Sequence, residues 1–124
     1  MQKVLIAEDD PMISEIYQKK FTDNGYIVLT AFSGDQVLEI VKKEKVDILL
    51  LDLLIPKMDG FAVIENLRNG KYDPDIKIIV SSNLSQREDQ EKVMALGANG
   101  FILKSQYTPS EMIKEIEKLT SSSK

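Results

Sequence analysis

Short apolar runs recur along the chain and predict strands. They are rich in Ile, Val and Leu, seldom alternate with polar residues, and cover residues 4–7, 26–30, 47–51, 76–81 and 100–103. Continuous apolar runs of this kind are typical of parallel strands that are covered on both faces of a sheet. The pattern therefore predicts five parallel strands.

Helices are predicted between these runs, where apolar residues recur at helical spacing. The helix expected over residues 85–96 has the weakest pattern. The other helices each present one apolar face, formed by Ile13, Ile16, Tyr17 and Phe21; by Val37, Leu38 and Val41; by Phe61, Ile64 and Leu67; and by Met112, Ile113, Ile116 and Leu119. Strands and helices are thus predicted to alternate along the whole chain.

Capping residues predict where the helices begin and end. Thr108, followed by Pro109 and then by Glu111, has the pattern of a capping box at the start of the last helix. The same kinds of signal recur as the box pairs Ser33 with Gln36 and Ser85 with Glu88, the acidic starts Asp10 and Asp59, and the terminal glycines Gly25, Gly70 and Gly97.

The alternation of strand and helix predicts the fold class. Because crossovers between parallel strands are right-handed, the order predicts an α/β fold, a (βα)5 three-layer sandwich around a five-stranded parallel sheet. A chain of 124 residues has the length of one domain. We assign this domain to residues 1–119 and expect residues 120–124, a Thr-Ser-Ser-Ser-Lys segment, to form a flexible tail.

Composition narrows the chemistry that the chain can perform. The absence of cysteine and histidine excludes disulfides, thiolate or imidazole metal sites, and Ser/His/Asp or Cys/His nucleophiles. The formal net charge of -4 lacks the cationic excess of a chain that binds nucleic acid directly. No apolar run has the length of a signal-peptide core or a membrane span, so we expect a cytoplasmic protein without a membrane partner.

Acidic residues follow two of the predicted strands at the edge where parallel strands end. Glu8 and Asp9 come after the first run, and Asp52 comes after the third. Two carboxylates about 4 Å apart repel by about 4 kcal/mol at an effective dielectric near 20, so their convergence would require a counter-charge. Carboxylate oxygens without imidazole or thiolate favour Mg²⁺, with Mn²⁺ as the alternative ion.

The remaining strand ends indicate what completes this site. Magnesium commonly takes one or two carboxylates together with a phosphate oxygen, which points to a phosphoryl group as the missing ligand. Lys104 follows the fifth run, where an ammonium would face Asp52 or a phosphate attached to it. The fourth run ends in Ser81 and Ser82, and the local sequence does not distinguish which hydroxyl would face a phosphoryl group.

These residues resemble the receiver domain of two-component response regulators, including the single-domain chemotaxis type, over essentially the whole chain. Glu8-Asp9 resembles the acidic pair of that family, and residues 52–60, DLLIPKMDG, resemble its phosphoacceptor block. Counting back from Lys104 places the family's Ser/Thr on Ser82 and its switch aromatic on Phe101. The resemblance also implies the flavodoxin-like strand order 2-1-3-4-5.

The resemblance implies a phosphorylation-activated switch rather than an enzyme. Asp52 would be the nucleophile and the modified residue, taking a phosphoryl group from a sensor histidine kinase, a phosphotransfer protein or a small acyl phosphate. Mg²⁺ would be held by Glu8, Asp9 and Asp52, with Lys104 as a second positive clamp. Ser82 and Phe101 would then change the face formed by the fourth helix, the fifth strand and the fifth helix, which would bind a downstream protein target. A phosphorylation-dependent homodimer remains an open alternative.

Three residues depart from the family pattern. Ser105 follows Lys104 where the family usually has a proline in a cis peptide, so the loop could be trans and place Lys104 differently. Asn83 is bulkier than the Ala or Gly common after the switch hydroxyl. Leu54 is apolar where some relatives place a side chain that orients water, so we expect slow self-dephosphorylation.

Three other functions compete with this interpretation. A haloacid-dehalogenase-type phosphohydrolase would also use an aspartate nucleophile and Mg²⁺, but Leu54 occupies the position of its general acid. A receiver-like scaffold that is never phosphorylated would not require the full set of acidic, hydroxyl and lysine residues. A flavin or nucleotide binder would require a glycine-rich phosphate loop after the first strand, where the chain is acidic instead.

Overall fold

The structure, a computed structural model, describes residues 2–83 and 86–121. In these ranges, five strands alternate with five α-helices, as the sequence predicts. The strands are β1 (Lys3–Ala7), β2 (Ile27–Ala31), β3 (Ile48–Leu51), β4 (Lys77–Ser82) and β5 (Gly100–Leu103). The helices are α1 (Pro11–Asp23), α2 (Gly34–Lys43), α3 (Gly60–Leu67), α4 (Arg87–Leu96) and α5 (Pro109–Ser121), with a 3-10 turn at Lys104–Gln106 between β5 and α5.

The five strands form one parallel sheet in the order β2-β1-β3-β4-β5, which confirms the predicted order. Ala7 of β1 is in register with Ala31 of β2 on one side and with Leu51 of β3 on the other. The next residues continue this alignment, since the Glu8 amide donates to the Ala31 carbonyl and the Asp52 amide donates to the Ala7 carbonyl, each at 3.1 Å. The carboxyl ends of β1 and β3 therefore lie side by side.

Alternate strand residues build two apolar layers, one on each face of the sheet. On one face, Ile6, Leu50 and Ile79 pack with residues of α1 and α5 such as Phe21 and Ile116. On the other face, the core joins strand residues to α2, α3 and α4, and includes Leu5, Leu49, Val80, Val37, Ile64 and Val93. The predicted three-layer α/β sandwich is confirmed.

Capping chemistry fixes the helix starts next to the carboxyl edge of the sheet. The Asp10 carboxylate accepts from the Met12 amide at 2.9 Å and begins α1, and the Asp59 carboxylate accepts from the Ala62 amide at 2.9 Å and begins α3. At the start of α5, the Glu111 carboxylate accepts from the Thr108 amide, and the Thr108 hydroxyl accepts from the Glu111 amide. The capping box predicted for α5 is therefore confirmed.

The box predicted for Ser33 and Gln36 was wrong in its donors and acceptors. The Ser33 hydroxyl donates to the Asp35 carboxylate and makes no cap to the backbone. The Gln36 side chain accepts from the amide of Phe32, the residue before Ser33, at 2.8 Å instead of from the amide of Ser33. A charged acceptor two residues away competes successfully for the serine hydroxyl, which a pattern of residue types does not reveal.

The buried face of α1 and the ends of α4 and α5 differ slightly from expectation. Ile16 was expected on the buried face of α1 but is 49% exposed, because Tyr17 and Phe21 fill the space against the sheet. Helix α4 begins at Arg87, and the predicted cap Ser85 lies outside the described residues. Helix α5 continues to Ser121, so Thr120 and Ser121 of the expected tail are helical, while residues 122–124 lie outside the described ranges.

Candidate phosphoacceptor site

Three carboxylates meet at the carboxyl edge of the sheet. Glu8 and Asp9 follow β1, Asp52 follows β3, and one carboxylate oxygen from each lies within 4.8 Å of the others. Glu8 is 3% exposed and Asp52 is 9% exposed, whereas Asp9 is open to solvent. The strand register thus brings together all three residues that the sequence predicts as metal ligands.

Backbone amides orient two of these carboxylates. The Leu54 amide donates to Asp52 Oδ1 at 3.0 Å, and the Asp10 amide donates to Glu8 Oε2 at 3.2 Å. In each case one oxygen is held by the loop after the strand and the other is left for the site. The fixed orientation reduces the conformational freedom that a bound ligand would otherwise have to remove.

Lys104 supplies the positive charge of the site. Its ammonium donates to Glu8 Oε1 at 2.5 Å and to Asp52 Oδ2 at 3.1 Å, and the side chain is 11% exposed. Among the described residues the structure has no cis peptide bond, so the Lys104-Ser105 bond is trans. The trans loop, which forms the 3-10 turn, still brings the ammonium to both carboxylates.

The electrostatic balance of the site remains negative. Burial acts to lower the pKa of the Lys104 ammonium, but its contacts with Glu8 and Asp52 outweigh burial and raise that pKa above 10.5. Burial raises the pKa of the Glu8 carboxyl above 4.5 in spite of the opposing contact with Lys104. Three carboxylates and one ammonium leave an excess of negative charge, so a further cation would be stabilised there.

The carboxylates fit a hard divalent cation. Mg²⁺ prefers oxygen ligands and commonly takes one or two carboxylates, and the described cluster offers three carboxylate oxygens at mutual distances that suit one ion. Asp9, the exposed member, leaves an open side through which waters or a phosphoryl oxygen could reach the ion. Glu8, Asp9 and Asp52 are the residues that would hold it.

The two serines at the end of β4 lie on opposite faces of the sheet. The Ser81 hydroxyl donates to Met112 Sδ of α5 at 3.8 Å, which places Ser81 on the face covered by α1 and α5. Strand alternation places Ser82, which is fully buried, on the other face. Phe101 packs against the core of that second face, so Ser82 and Phe101 share one side of the sheet.

A tyrosine that the sequence placed only in the core also belongs to the surroundings of the site. Tyr17 of α1 is 8% exposed and lines a narrow crevice under Lys104, together with Ser81, Glu8 and Asp52. Its place on the apolar face of α1 predicts burial but not this contact, because the sequence does not reveal which strand end faces the helix. No pattern in α1 alone could have identified it.

Chemically, the arrangement offers a carboxylate with one oxygen near an ammonium and an adjoining acidic pair that can hold a divalent cation. Leu54, whose backbone amide contacts Asp52, has an apolar side chain that is 64% exposed. A phosphoryl group placed against Asp52 would therefore meet positive charge from Lys104 and from a bound cation.

In the part of the chain that the structure describes, no helix is long and apolar enough to cross a membrane.

Comparisons with known proteins agree with this geometry. The chain is 32% identical over 90% of its length to a probable transcriptional regulator, ycf27, of Guillardia theta, and 30% identical over 96% of its length to the DNA-binding dual master transcriptional regulator RpaA of a Synechocystis strain. It spans 42% of the first relative and 49% of the second, so it corresponds to about half of each curated relative or less.

Solved structures give the same result for the fold. The receiver domain of the Francisella response regulator 1452 superposes with a TM-score of 0.88 at 26% identity, covering 100% of both chains. The chemotaxis response regulator CheY4 of Vibrio cholerae superposes with a TM-score of 0.88 at 26% identity, covering 96% of this chain and 98% of that one. The response regulator receiver domain family matches residues 4–117. The chain therefore belongs to the response regulator receiver domain family of two-component signalling.

Proposed function

We propose that Asp52 is the phosphoacceptor of a signalling switch, and that it is phosphorylated by transfer from a phosphohistidine or a small acyl phosphate. The observation that carries the proposal is the position of Asp52 Oδ2, which is 3.1 Å from the Lys104 ammonium and adjoins the Glu8–Asp9 pair. An aspartate that merely ends a strand would require neither a buried ammonium nor two further acidic residues beside it. A nucleophilic carboxylate beside an ammonium and beside carboxylates that could hold a divalent cation is suited to phosphoryl transfer.

The proposed step exchanges one bond to phosphorus for another. An Asp52 oxygen forms an O–P bond while the P–N bond of the phosphohistidine, or the P–O bond of the acyl phosphate, breaks and the leaving group keeps the electron pair. The Lys104 ammonium, which donates to Asp52 Oδ2, would face the phosphoryl oxygens on which negative charge accumulates. The Leu54 amide holds the other Asp52 oxygen and keeps the carboxylate oriented throughout.

Glu8, Asp9 and Asp52 are proposed to hold Mg²⁺, with Mn²⁺ as a substitute. When bound, the cation neutralises phosphoryl oxygens and aligns the donor for in-line transfer. Because the Lys104 ammonium contacts two of the same carboxylates, the ammonium and the cation compete for Glu8 and Asp52. We infer that Lys104 turns from these carboxylates toward the phosphoryl group as the site is filled.

The output of the switch is proposed to pass through the face of the sheet that Ser82 and Phe101 share. Ser82 at the end of β4 would turn toward the phosphoryl group, and Phe101 of β5 would move into the space that Ser82 leaves. Ser82 is fully buried and Phe101 is partly buried against the same core, which supports a coupled movement. The surface formed by α4, β5 and α5 would then bind a downstream protein.

The partners follow from this role. The phosphoryl donor would be a sensor histidine kinase or a phosphotransfer protein, and the receiver would act in the cytoplasm. Direct nucleic-acid binding is not proposed for these residues, because the formal net charge is -4. A homodimer that forms on phosphorylation is an outcome that light scattering of the phosphorylated chain would reveal.

Intact-protein mass spectrometry tests the proposal. The full chain is incubated with acetyl phosphate and Mg²⁺, and Asp52→Asn is treated in parallel. We expect one phosphoryl adduct on the wild type and none on the variant. An unmodified wild type would support a scaffold that is not phosphorylated, and steady release of phosphate from ordinary phosphate esters would support a phosphohydrolase instead.

The lifetime of the phosphorylated state is a finer part of the proposal. Leu54 offers no polar atom from its side chain to orient an attacking water, so we expect slow self-dephosphorylation. Leu54→Asn should shorten the lifetime, and Leu54→Met should leave it nearly unchanged. A wild-type adduct that decays within seconds in the presence of Mg²⁺ would contradict this expectation.

A further inference from the structure

A narrow crevice lies directly beneath the Lys104 ammonium, on the face of the sheet covered by α1 and α5. Its lining combines the three charged residues Glu8, Asp52 and Lys104 with two hydroxyl side chains, Tyr17 and Ser81, and its walls are otherwise apolar. The crevice has no room for a water molecule. Water therefore cannot serve as a hydrogen-bond partner for the polar groups that face into it.

The Lys104 ammonium has more donors than its two ion pairs use. An ammonium carries three protons, and the contacts with Glu8 and Asp52 account for two of them. The lysine side chain is nearly buried, so solvent is a poor partner for the third proton. An unsatisfied donor on a buried charge is costly, and a hydroxyl in the crevice would relieve that cost.

The two hydroxyls come from elements on opposite sides of the crevice. Tyr17 projects from α1 and is 8% exposed, and Ser81 ends β4 and is 2% exposed. The Ser81 hydroxyl donates to Met112 Sδ, so its oxygen remains available as an acceptor. Burial raises the pKa of the Tyr17 hydroxyl above 10.0 and outweighs the charge of the adjacent Lys104, which acts to lower that pKa. The tyrosine is thus a neutral hydroxyl next to both groups.

We propose that Tyr17 and Ser81 are positioning residues for Lys104, forming a hydroxyl relay in which the ammonium donates to the tyrosine oxygen and the tyrosine donates to the serine oxygen. The relay holds the ammonium over Asp52 although Lys104 is followed by a trans bond to Ser105. This inference rests on the proposed phosphoacceptor role of Asp52. It gives α1, through Tyr17, a role in phosphoryl transfer in addition to the roles of the acidic pair and Lys104.

The rate of Asp52 phosphorylation by acetyl phosphate with Mg²⁺ tests the relay. Tyr17→Phe keeps the ring in the core and removes only the hydroxyl, and we expect it to lower the rate about tenfold, the effect of losing one hydrogen bond to a charged group. Ser81→Ala should lower the rate about threefold, because the tyrosine loses its acceptor but remains in place. The matched control is Tyr26→Phe, since the Tyr26 hydroxyl contacts Glu117, away from the site.

A double-mutant cycle separates positioning from a general structural effect. In a Lys104→Ala background, Tyr17→Phe should change the rate by less than about twofold, because the group that the hydroxyl positions is gone. The second readout is the nitrogen-15 signal of the Lys104 ammonium in the metal-free protein. We expect its protons to exchange faster with solvent in Tyr17→Phe than in the wild type, with Tyr26→Phe unchanged.

The outcomes distinguish this inference from the proposed function. If the wild type gains no phosphoryl group, the phosphoacceptor role itself fails. If the wild type is phosphorylated and Tyr17→Phe matches it in both rate and ammonium exchange, the relay is overturned and the phosphoacceptor role stands. If Tyr17→Phe slows the reaction equally in the wild-type and Lys104→Ala backgrounds, the tyrosine acts on the fold rather than through the lysine, and the relay is also overturned.

Discussion

Two cationic side chains lie at opposite edges of the same sheet, and their partners differ. Arg68, the residue after α3, lies near the amino ends of β4 and β5, where its guanidinium donates to the carbonyls of Gly97, Pro74 and Ile76 at 2.8 to 3.1 Å. It also donates to Asn99 Oδ1 at 2.9 Å. Lys104, at the carboxyl edge, contacts two carboxylates and no described backbone carbonyl through its ammonium.

The different partners of Arg68 and Lys104 indicate different roles for the two cationic side chains. Every acceptor of Arg68 is neutral and is held by the fold, so the guanidinium joins three chain segments and requires no ligand. At the carboxyl edge, one ammonium faces three carboxylates, which leaves an excess of negative charge that a cation can balance. The contacts at the amino edge therefore stabilise the fold, whereas the excess negative charge at the carboxyl edge favours the binding of a cation.

Arg68→Ala should give the largest loss of stability. Removing the guanidinium takes this donor away from three backbone carbonyls, while Asn99 Oδ1 keeps its hydrogen bond from the Ile78 amide, and we expect the free energy of unfolding to fall by about 3 kcal/mol. Urea unfolding followed by circular dichroism measures it. Arg87→Ala is the control, because Arg87 forms only an exposed pair with Glu91 and its loss should cost under about 0.5 kcal/mol. A change as small as the control's for Arg68→Ala would show that its contacts do not fasten the sheet.

Lys104→Ala should have the corresponding effect on phosphorylation. We expect the rate of adduct formation with acetyl phosphate to fall about a hundredfold, the usual effect of removing a group that stabilises transition-state charge. Time-resolved intact mass spectrometry measures that rate. Arg68→Ala, compared at a temperature where it is folded, should stay within about twofold of the wild type. Equal losses of rate in the two variants would remove the distinction between the edges.

Mg²⁺ binding should respond to Lys104→Ala in the opposite direction. The ammonium competes with the cation for Glu8 and Asp52, so its removal should strengthen Mg²⁺ binding by about tenfold. Isothermal titration calorimetry with magnesium chloride measures the affinity. Lys45→Ala is the matched control, since Lys45 pairs with Asp73 at the amino edge. Weaker Mg²⁺ binding in Lys104→Ala would mean that the lysine organises the metal site rather than competing for it.

The fold was largely predictable because it depends on signals that are local in sequence. Continuous apolar runs gave five strands within one residue of their bounds, and the capping residues Asp10, Asp59 and Thr108 begin the helices as expected. The three-carboxylate cluster was also predictable, because parallel strands place their ends at one edge. Lys104 reached the site in spite of the departure at Ser105.

What could not be predicted depends on which groups meet across distant segments. Arg68 has no sequence signal, because its partners are backbone carbonyls that every residue carries. Tyr17 and Ser81 meet only because α1 covers the face of the sheet toward which Ser81 points. Ser33 failed as a cap because Asp35 offers its hydroxyl a charged acceptor. Each case is a choice among partners, which residue type and spacing leave open.

The smallest effect concerns the start of α5, at the same edge as Lys104. Contact with the Thr108 amide, and then with its hydroxyl, holds the pKa of the Glu111 carboxyl below 4.5. A carboxyl whose pKa is lowered in the folded state contributes stability above the unfolded value, and that contribution is lost as the pH falls through the folded value. Between about pH 6 and about pH 3, Glu111→Gln should therefore lose less stability than the wild type.

Urea unfolding at a series of pH values measures this difference. Glu115→Gln is the control, because no capping contact is made by Glu115 among the described residues and the substitution also removes one carboxylate from α5. Parallel pH profiles for Glu111→Gln and the wild type would show that the box contributes no charge-dependent stability. Neither result bears on the proposed phosphoacceptor site, so the experiment tests the capping role of this edge separately from its proposed role in phosphoryl transfer.

The central claim is that the charges at the carboxyl edge direct a phosphoryl group onto Asp52 and onto no other carboxylate. Borohydride reduction converts an aspartyl phosphate to homoserine, which peptide mass spectrometry locates in the sequence. After treatment of the full chain with acetyl phosphate and Mg²⁺, we predict homoserine at position 52 alone. Homoserine at Asp9 or at another acidic residue, with Asp52 intact, would contradict the account.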